Sequence, residues 1–281
     1  MPDAAPLSEL AALARRHDPD RFLCALFAPP EARETLFLLT AFNHELARAR
    51  AATSNTMTGL IRLQWWRDVV EEAAAGSTPP RRHEIAQPLT ESIRAGRLMP
   101  EELLALVDAR EAEVEEEMPS RDALLAFLRG SAGGYAVVAG RVLQAPPAAM
   151  PHLQAAGAAY GMAGVLRSIG THAGQGRCLL PTDLLQQHGL TQADVVRDPQ
   201  TPAVVTVARE MAEQASQVLR NARASLRGIL PRRAVAAALP ARLAARDLRH
   251  VLSAAWNPAR PPPLRGLGDR LSVIWGGWRG R

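Results

Sequence analysis

At 281 residues, 47% of them hydrophobic and 22% charged, the chain is long enough to bury a sizeable core. Its two cysteines, Cys24 and Cys178, stand far apart with no C-x-x-C pair, which excludes a disulfide framework and a cysteine-ligated zinc site. No lysine occurs, and the net charge of +5 hides an asymmetry: from Arg220 onward 13 arginines face two acids (+11), whereas residues 1–219 hold 20 arginines and 26 acids (−6).

The N-terminus, MPDAAPLSELAALARRHDPD, lacks the basic, apolar and small-residue order of a signal peptide, and Asp3 and Glu9 argue against a mitochondrial presequence. No continuous apolar run reaches membrane-spanning length, so a soluble cytoplasmic protein is expected; the alanine-rich, lysine-free composition points to a bacterium. Apolar residues at spacings of three and four predict helices over 7–16, 30–53, 57–75, 84–95, 100–117, 121–143, 149–170, 201–228, 231–255 and 264–275. Breaks fall at Pro29-Pro30, Gly76 to Pro80, Pro146-Pro147, Gly174 to Pro181, Asp198 to Pro202 and Asn257 to Pro263. Val204, Ala208, Met211, Ala215, Val218, Ala222 and Leu226 form one stripe after a Thr201-Pro202 start. Strand signals are poor and no linker divides the chain, so an all-α protein forming one domain over residues 1–281 is expected. Gly130, Gly133, Gly134 and Gly140, each costing about 1 kcal/mol relative to Ala inside a helix, mark a face that another helix or a ligand must approach closely.

Glu101 to Glu117 carries eight acids against Arg110 alone. The basic C-terminal region has several potential counterparts: this acidic helix, an acidic partner protein or an anionic membrane surface. Nucleic acid is not expected, since no aromatic stacking platform accompanies the arginines. Trp275 and Trp278, beside Arg270, Arg279 and Arg281, fit either a peripheral membrane contact or a packed terminus. Trp65-Trp66 reads as one core and one rim residue, with Arg62 and Arg67 in surface ion pairs. The seven histidines show no metal-ligand spacing, and Gly174-Gln-Gly176-Arg177 is a helix-terminating turn rather than a nucleotide loop.

Two segments carry the functional signal. Gly157 to Pro181, GAAYGMAGVLRSIGTHAGQGRCLLP, runs from a small-residue helix into a glycine-rich turn and an Arg-Cys-Leu-Leu-Pro stop. It resembles the second signature of the squalene/phytoene synthase family, an Asn-x-x-Arg-Asp-x-x-x-Asp helix followed by Gly-Arg-x-Tyr-Leu-Pro. Arg167, Gly176, Arg177, Leu180 and Pro181 match that pattern, while Ser168 and His172 stand in the two carboxylate positions. The other segment, Leu39 to Glu72, resembles the family's opposing helix, Tyr-Ala-Phe-Cys-Arg-x-x-Asp-Asp-x-x-Asp. Ala41-Phe42 matches, Asn43-His44 replaces Cys-Arg, and the aspartate positions fall on Ala47, Arg48 and Ala51.

In that family, as the resemblance implies, the two carboxylate faces hold Mg²⁺ against a substrate diphosphate, since hard cations bridging phosphates need several carboxylates close together. Five of them are absent here, and Glu45 alone cannot replace the set. The departures, Phe42-Asn43-x-Glu45-Leu46-Ala47, Gly59-Leu-x-Arg-x-Gln-Trp-Trp, Leu166-Arg167, Leu180-Pro181-x-Asp183 and His188-Gly189, resemble a branch of the family that includes a mitochondrial complex I assembly factor and its bacterial relatives. The resemblance implies an isoprenoid-synthase-like helical bundle around a central cavity, without metal or cofactor. It implies a role in assembly of respiratory NADH dehydrogenase through a protein partner, such as one of its subunits, or an isoprenoid or lipid-like ligand. Under it the catalytic positions are degenerate, and His44, Arg48, Arg167, His172 and Arg177 are the candidate ligand-binding residues. The alternative is an active Mg²⁺-dependent prenyltransferase of the squalene/phytoene synthase type.

Overall fold

The computed structural model describes residues 7–51, 56–76, 78–114, 117–261 and 264–280. These form sixteen α-helices and no strand. They are α1 (Glu9–His17), α2 (Pro19–Ala25), α3 (Pro30–Ala51), α4 (Thr56–Ala75), α5 (Ala86–Arg94), α6 (Pro100–Val114), α7 (Arg121–Leu128), α8 (Gly134–Val142), α9 (Met150–Arg167), α10 (Ile169–Ala173), α11 (Thr182–Gln187), α12 (Gln192–Arg197), α13 (Pro202–Leu226), α14 (Val235–Ala238), α15 (Pro240–Val251) and α16 (Leu267–Arg279).

The long helices follow the apolar periodicity, and the short ones depart from it. The two stretches expected as loops before residue 30 and after residue 170 hold four helices of five to seven residues, α2, α10, α11 and α12, too short for periodicity to register. Capping signals register two of them, α2 and α12. Asp18 accepts from the backbone N–H of Arg21 at 2.9 Å and Pro19 occupies the first turn of α2, while Thr191 and Asp194 form a capping box on α12. The run expected over 231–255 divides into a 3₁₀ turn, α14 and α15, because Pro240 supplies no N–H to continue one helix. Within α13, Val218 is turned to solvent and Leu219 takes its place in the buried stripe.

Helix α9 is the centre of the bundle. Leu153, Ala156, Ala159, Met162, Ala163 and Leu166 bury most of its circumference, and α8, α13 and α15 pack around it. Small residues allow the closest approach. A Cβ on Gly157 would lie 2.5 Å from the Ala132 carbonyl oxygen, and one on Gly133 2.8 Å from that of Gln154. The glycine cluster of this region therefore serves helix packing. It spans a π-turn, Arg129–Gly133, between α7 and α8. Such turns re-aim side chains locally, and here Ser131 donates to the Phe127 carbonyl at 2.6 Å. The run from Arg121 to Val142, though interrupted by Arg129, contains an 18-residue window with the mean hydropathy of a membrane span, and more than half of that window is buried in the bundle.

Three apolar clusters result, the smallest joining α2, α14, α15 and α16 around Cys24, Val235, Leu243 and Val273; the other two are larger. One joins α1, α3–α6 and α8 around Leu39, Phe42, Leu63, Trp66 and Leu103; the other joins α7, α9, α13 and α15 around Leu124, Leu166, Val207 and Leu248. Trp66 is buried against Phe42, and Trp65 lies at the rim with Arg81. The acidic helix α6 meets Arg67, Arg110 and Arg141. Among the described residues, the ion pairs of Arg246 and Arg265 in the basic region run to Asp269, Asp20 and Asp247 rather than to this helix.

Candidate functional site

A cavity of about 250 Å³ opens where α2, α6, α7, α9, α10 and α15 converge. Its lining includes Arg21, Arg110, Glu113, Phe127, Tyr160, Gly164, Arg167, Ser168, His172 and Asp247. The small residues of α9 make room for it: a Cβ on Gly164 would meet nothing within 4 Å. Gly164 also stands three residues before Arg167, at the asparagine position of the resembled signature. Helix α9 ends at Arg167, and Ser168 breaks the geometry before α10 begins.

Arginines dominate the cavity wall, and each is matched. Arg21, buried, bonds Asp18 at 2.8 Å and lies over the Tyr135 ring at 4.0 Å and the Tyr160 ring at 5.2 Å. Burial opposes its charge, but Asp18 and the two tyrosines outweigh burial and raise its pKa. Arg110 bonds Glu113 at 2.7 Å and donates to the Asn43 amide oxygen at 3.1 Å, tying α6 to α3. Arg167 meets Asp247 at 3.1 Å. Behind that pair, Arg265 bridges Asp247 at 2.6 Å and Asp20 at 2.8 Å, closing the network across α2 and α15. Burial opposes the Arg265 charge as well, and the hydrogen bonds it donates to Asp247 and Asp20 prevail. Four arginines thus face four carboxylates: Asp18, Asp20, Glu113 and Asp247.

The candidates read from the sequence divide. Arg167, His172 and Ser168 line the cavity. Arg177 stands beside His172 and donates to the Glu113 carbonyl at 3.3 Å. Burial first, then the nearby Arg177, lowers the His172 pKa against the pull of Glu113. His44 and Arg48 do not belong to this lining. His44 stacks on His17 at 4.1 Å, its pKa lowered by burial and then by His17, and Arg48 is exposed and bonded to Glu45 at 2.9 Å. Ala47 is half-buried on the same helix, and the side chain of Ala51 lies outside the described ones. Sequence reading missed Arg21, Arg110, Tyr160 and Asp247. Only Asp18-Pro19, as a helix start, signals that Arg21 is held in place.

The donor set does not fit a divalent cation. Among the described residues no group of three His, Cys, Asp or Glu side chains converges, and both carboxylates in the cavity lining are bound to arginine. What the wall offers instead is hydrogen-bond donors. The Nε atoms of Arg21 and Arg110 are buried without a partner.

Residues 14–267 match the squalene/phytoene synthase family. The chain belongs to that family. Its similarity to solved members lies in the fold: a ligand-bound dehydrosqualene synthase superposes with a TM-score of 0.79 at 11% identity over 96% of this chain and 94% of that one. Squalene synthase HpnC from Alicyclobacillus acidocaldarius does so with a TM-score of 0.68 at 18% identity, over 96% and 92%. In sequence, the chain is 30% identical over 222 residues to the human "NADH dehydrogenase (ubiquinone) complex I, assembly factor 6", covering 75% of this chain and 63% of that protein. The bovine protein of the same name is 29% identical, covering 77% and 65%. The chain thus spans a little under two thirds of the length of these relatives. A presqualene diphosphate synthase from Rhodopseudomonas palustris is 28% identical over 185 residues, covering 63% and 64%. This synthase-family bundle is therefore similar both to enzymes and to proteins named for assembly.

Proposed function

We propose that this chain is a non-catalytic family member that acts in assembly of respiratory NADH dehydrogenase, by binding a protein partner or a lipid-like ligand. The observation that carries the reading is the charge balance of the cavity. Ionising an allylic diphosphate requires a cluster of cations against the leaving group. Here the carboxylates that would hold metal are replaced, and the arginines that could act in its stead are bound to carboxylates. Volume supports the same view: about 250 Å³ lies below the roughly 300–1,000 Å³ of ordinary ligand sites, small for two prenyl diphosphates at once. The two unpartnered arginine Nε atoms favour a small acceptor-bearing group if the cavity is filled.

Deleting the gene should lower assembled NADH dehydrogenase and leave isoprenoid profiles unchanged; the opposite pattern removes the proposal. The enzyme reading, which the similarity to presqualene diphosphate synthases favours, is tested with purified chain, farnesyl diphosphate and Mg²⁺. Time-dependent diphosphate release that Arg167→Ala abolishes would establish it. A third reading, metal-free capture of an anionic isoprenoid, requires a thermal shift by diphosphate analogues that EDTA leaves intact.

A further inference from the structure

Helix α16 is built the wrong way round for a surface helix. Val273 and Gly276 are buried, and with Gly277 they form its inner face. The Phe27 ring lies under Gly277 and the Arg242 guanidinium under Gly276, so close that a side chain on either glycine would displace its neighbour. The large apolar residues point the other way. Leu267, Leu271, Ile274, Trp275 and Trp278 follow the spacing of one helical face, and all are exposed, Leu267 to 78% and Trp278 to 69%. Leu264, just ahead of the helix, is 95% exposed. Arg270 and Arg279 fall on the two flanks of this stripe, and Arg279 lies over the Trp275 ring at 4.1 Å. An apolar row of this size is not an ordinary feature of a water-facing surface.

A groove of about 760 Å³ opens at the C-terminal end of the same helix, next to Gly280. Its floor is apolar, with Leu226, Leu230 and Leu239, and its walls carry Arg223, Arg227 and Arg242. Among the described residues that line it there is no Asp or Glu. The two acids of the region after Arg220 are engaged elsewhere, Asp247 with Arg167 and Arg265, and Asp269 with Arg246.

We propose that α16 and this groove form a docking surface for an anionic phospholipid bilayer, the apolar stripe entering the interface and Arg223 and Arg227 meeting lipid phosphates. Charge complementarity selects the occupant: 13 arginines against two acids from Arg220 onward attract a negatively charged plane. The form of the stripe agrees, a single helix with tryptophans at one end and arginines on both flanks, suited to lying in the plane of the headgroups. The surface is separate from the cavity, and its test needs neither catalysis nor a respiratory complex.

The full chain should float with vesicles of phosphatidylcholine and phosphatidylglycerol, far less with phosphatidylcholine alone, and be released by salt. Trp275→Ser with Trp278→Ser should weaken vesicle binding about tenfold or more. Arg223→Gln and Arg227→Gln should each weaken it about fivefold on anionic vesicles only. Tryptophan emission of the unaltered chain should shift to the blue on the anionic vesicles. Should the double tryptophan variant not fold, Leu271→Gln, at a 61% exposed position, takes its place. Equal binding to both vesicle types, or stripe variants that bind as the parent does, overturns the proposal. So does a dimer, or a complex with a protein partner, that the stripe variants dissolve while vesicles leave the chain unbound.

Discussion

Around the cavity, Arg21, Arg110, Arg167 and Arg265 each hold a carboxylate, whereas in the groove beside α16 Arg223 and Arg227 lie among leucines, close enough to oppose each other's charge. Burial first, and then Arg242, Arg227 and Arg249, lowers the Arg223 pKa. The same residue type therefore does two things. Matched with acids inside a bundle, it joins helices in place of a metal; crowded on an apolar floor at the surface, it leaves a field directed outward.

The largest effect that could break this contrast is at Asp247. Asp247→Ala strands Arg167 and leaves Arg265 with Asp20 alone, both arginines largely shielded from solvent, and should cost about 3–5 kcal/mol in urea denaturation. A loss below about 1 kcal/mol would mean that the network adds little, as surface pairs do. Next comes the packing that surrounds the cavity. Gly157→Ala drives a methyl into the Ala132 carbonyl and should cost about 1–3 kcal/mol, whereas Gly164→Ala enters open space and should stabilise α9 by about 0.5–1 kcal/mol. If both variants melt alike, the cavity does not exist as described. At the groove the sign should reverse: Arg223→Gln relieves like-charge crowding and should raise Tm by about 1–2 °C, where loss of a cavity arginine lowers it. The gentlest signal is a slope. His172 and His44 both have pKa values held below 6.5, chiefly by burial, so the native state favours their neutral rings. Stability should be full above pH 6.5 and decline as the pH falls from there to the folded pKa values. His172→Asn with His44→Asn should flatten that decline; an unchanged profile assigns it to other groups.

How much of this was legible beforehand depended on the range of each interaction. The helices from α3 to α9, and α13, follow from apolar spacing, and Pro240 marks a break that periodicity passed over. The loss of carboxylates at Ala47, Arg48, Ser168 and His172 is likewise visible residue by residue. Yet Arg48, which looked like a replacement in the cavity, is exposed and held by Glu45, three residues back on its own helix. A helical register says that two residues share a face, not which neighbour covers that face.

Composition, periodicity and two signature segments were sufficient for an all-α synthase-family bundle, because helix formation, capping and breaking are decided within a few residues. Tertiary structure alone decided that Arg167, Asp20, Asp247 and Arg265 form one network, since they come from distant parts of the chain and have no shared local pattern. It also decided which side of α16 meets solvent. The apolar row is written in the sequence, but only the packing of Gly276 on Arg242 and of Gly277 on Phe27 turns that row outward.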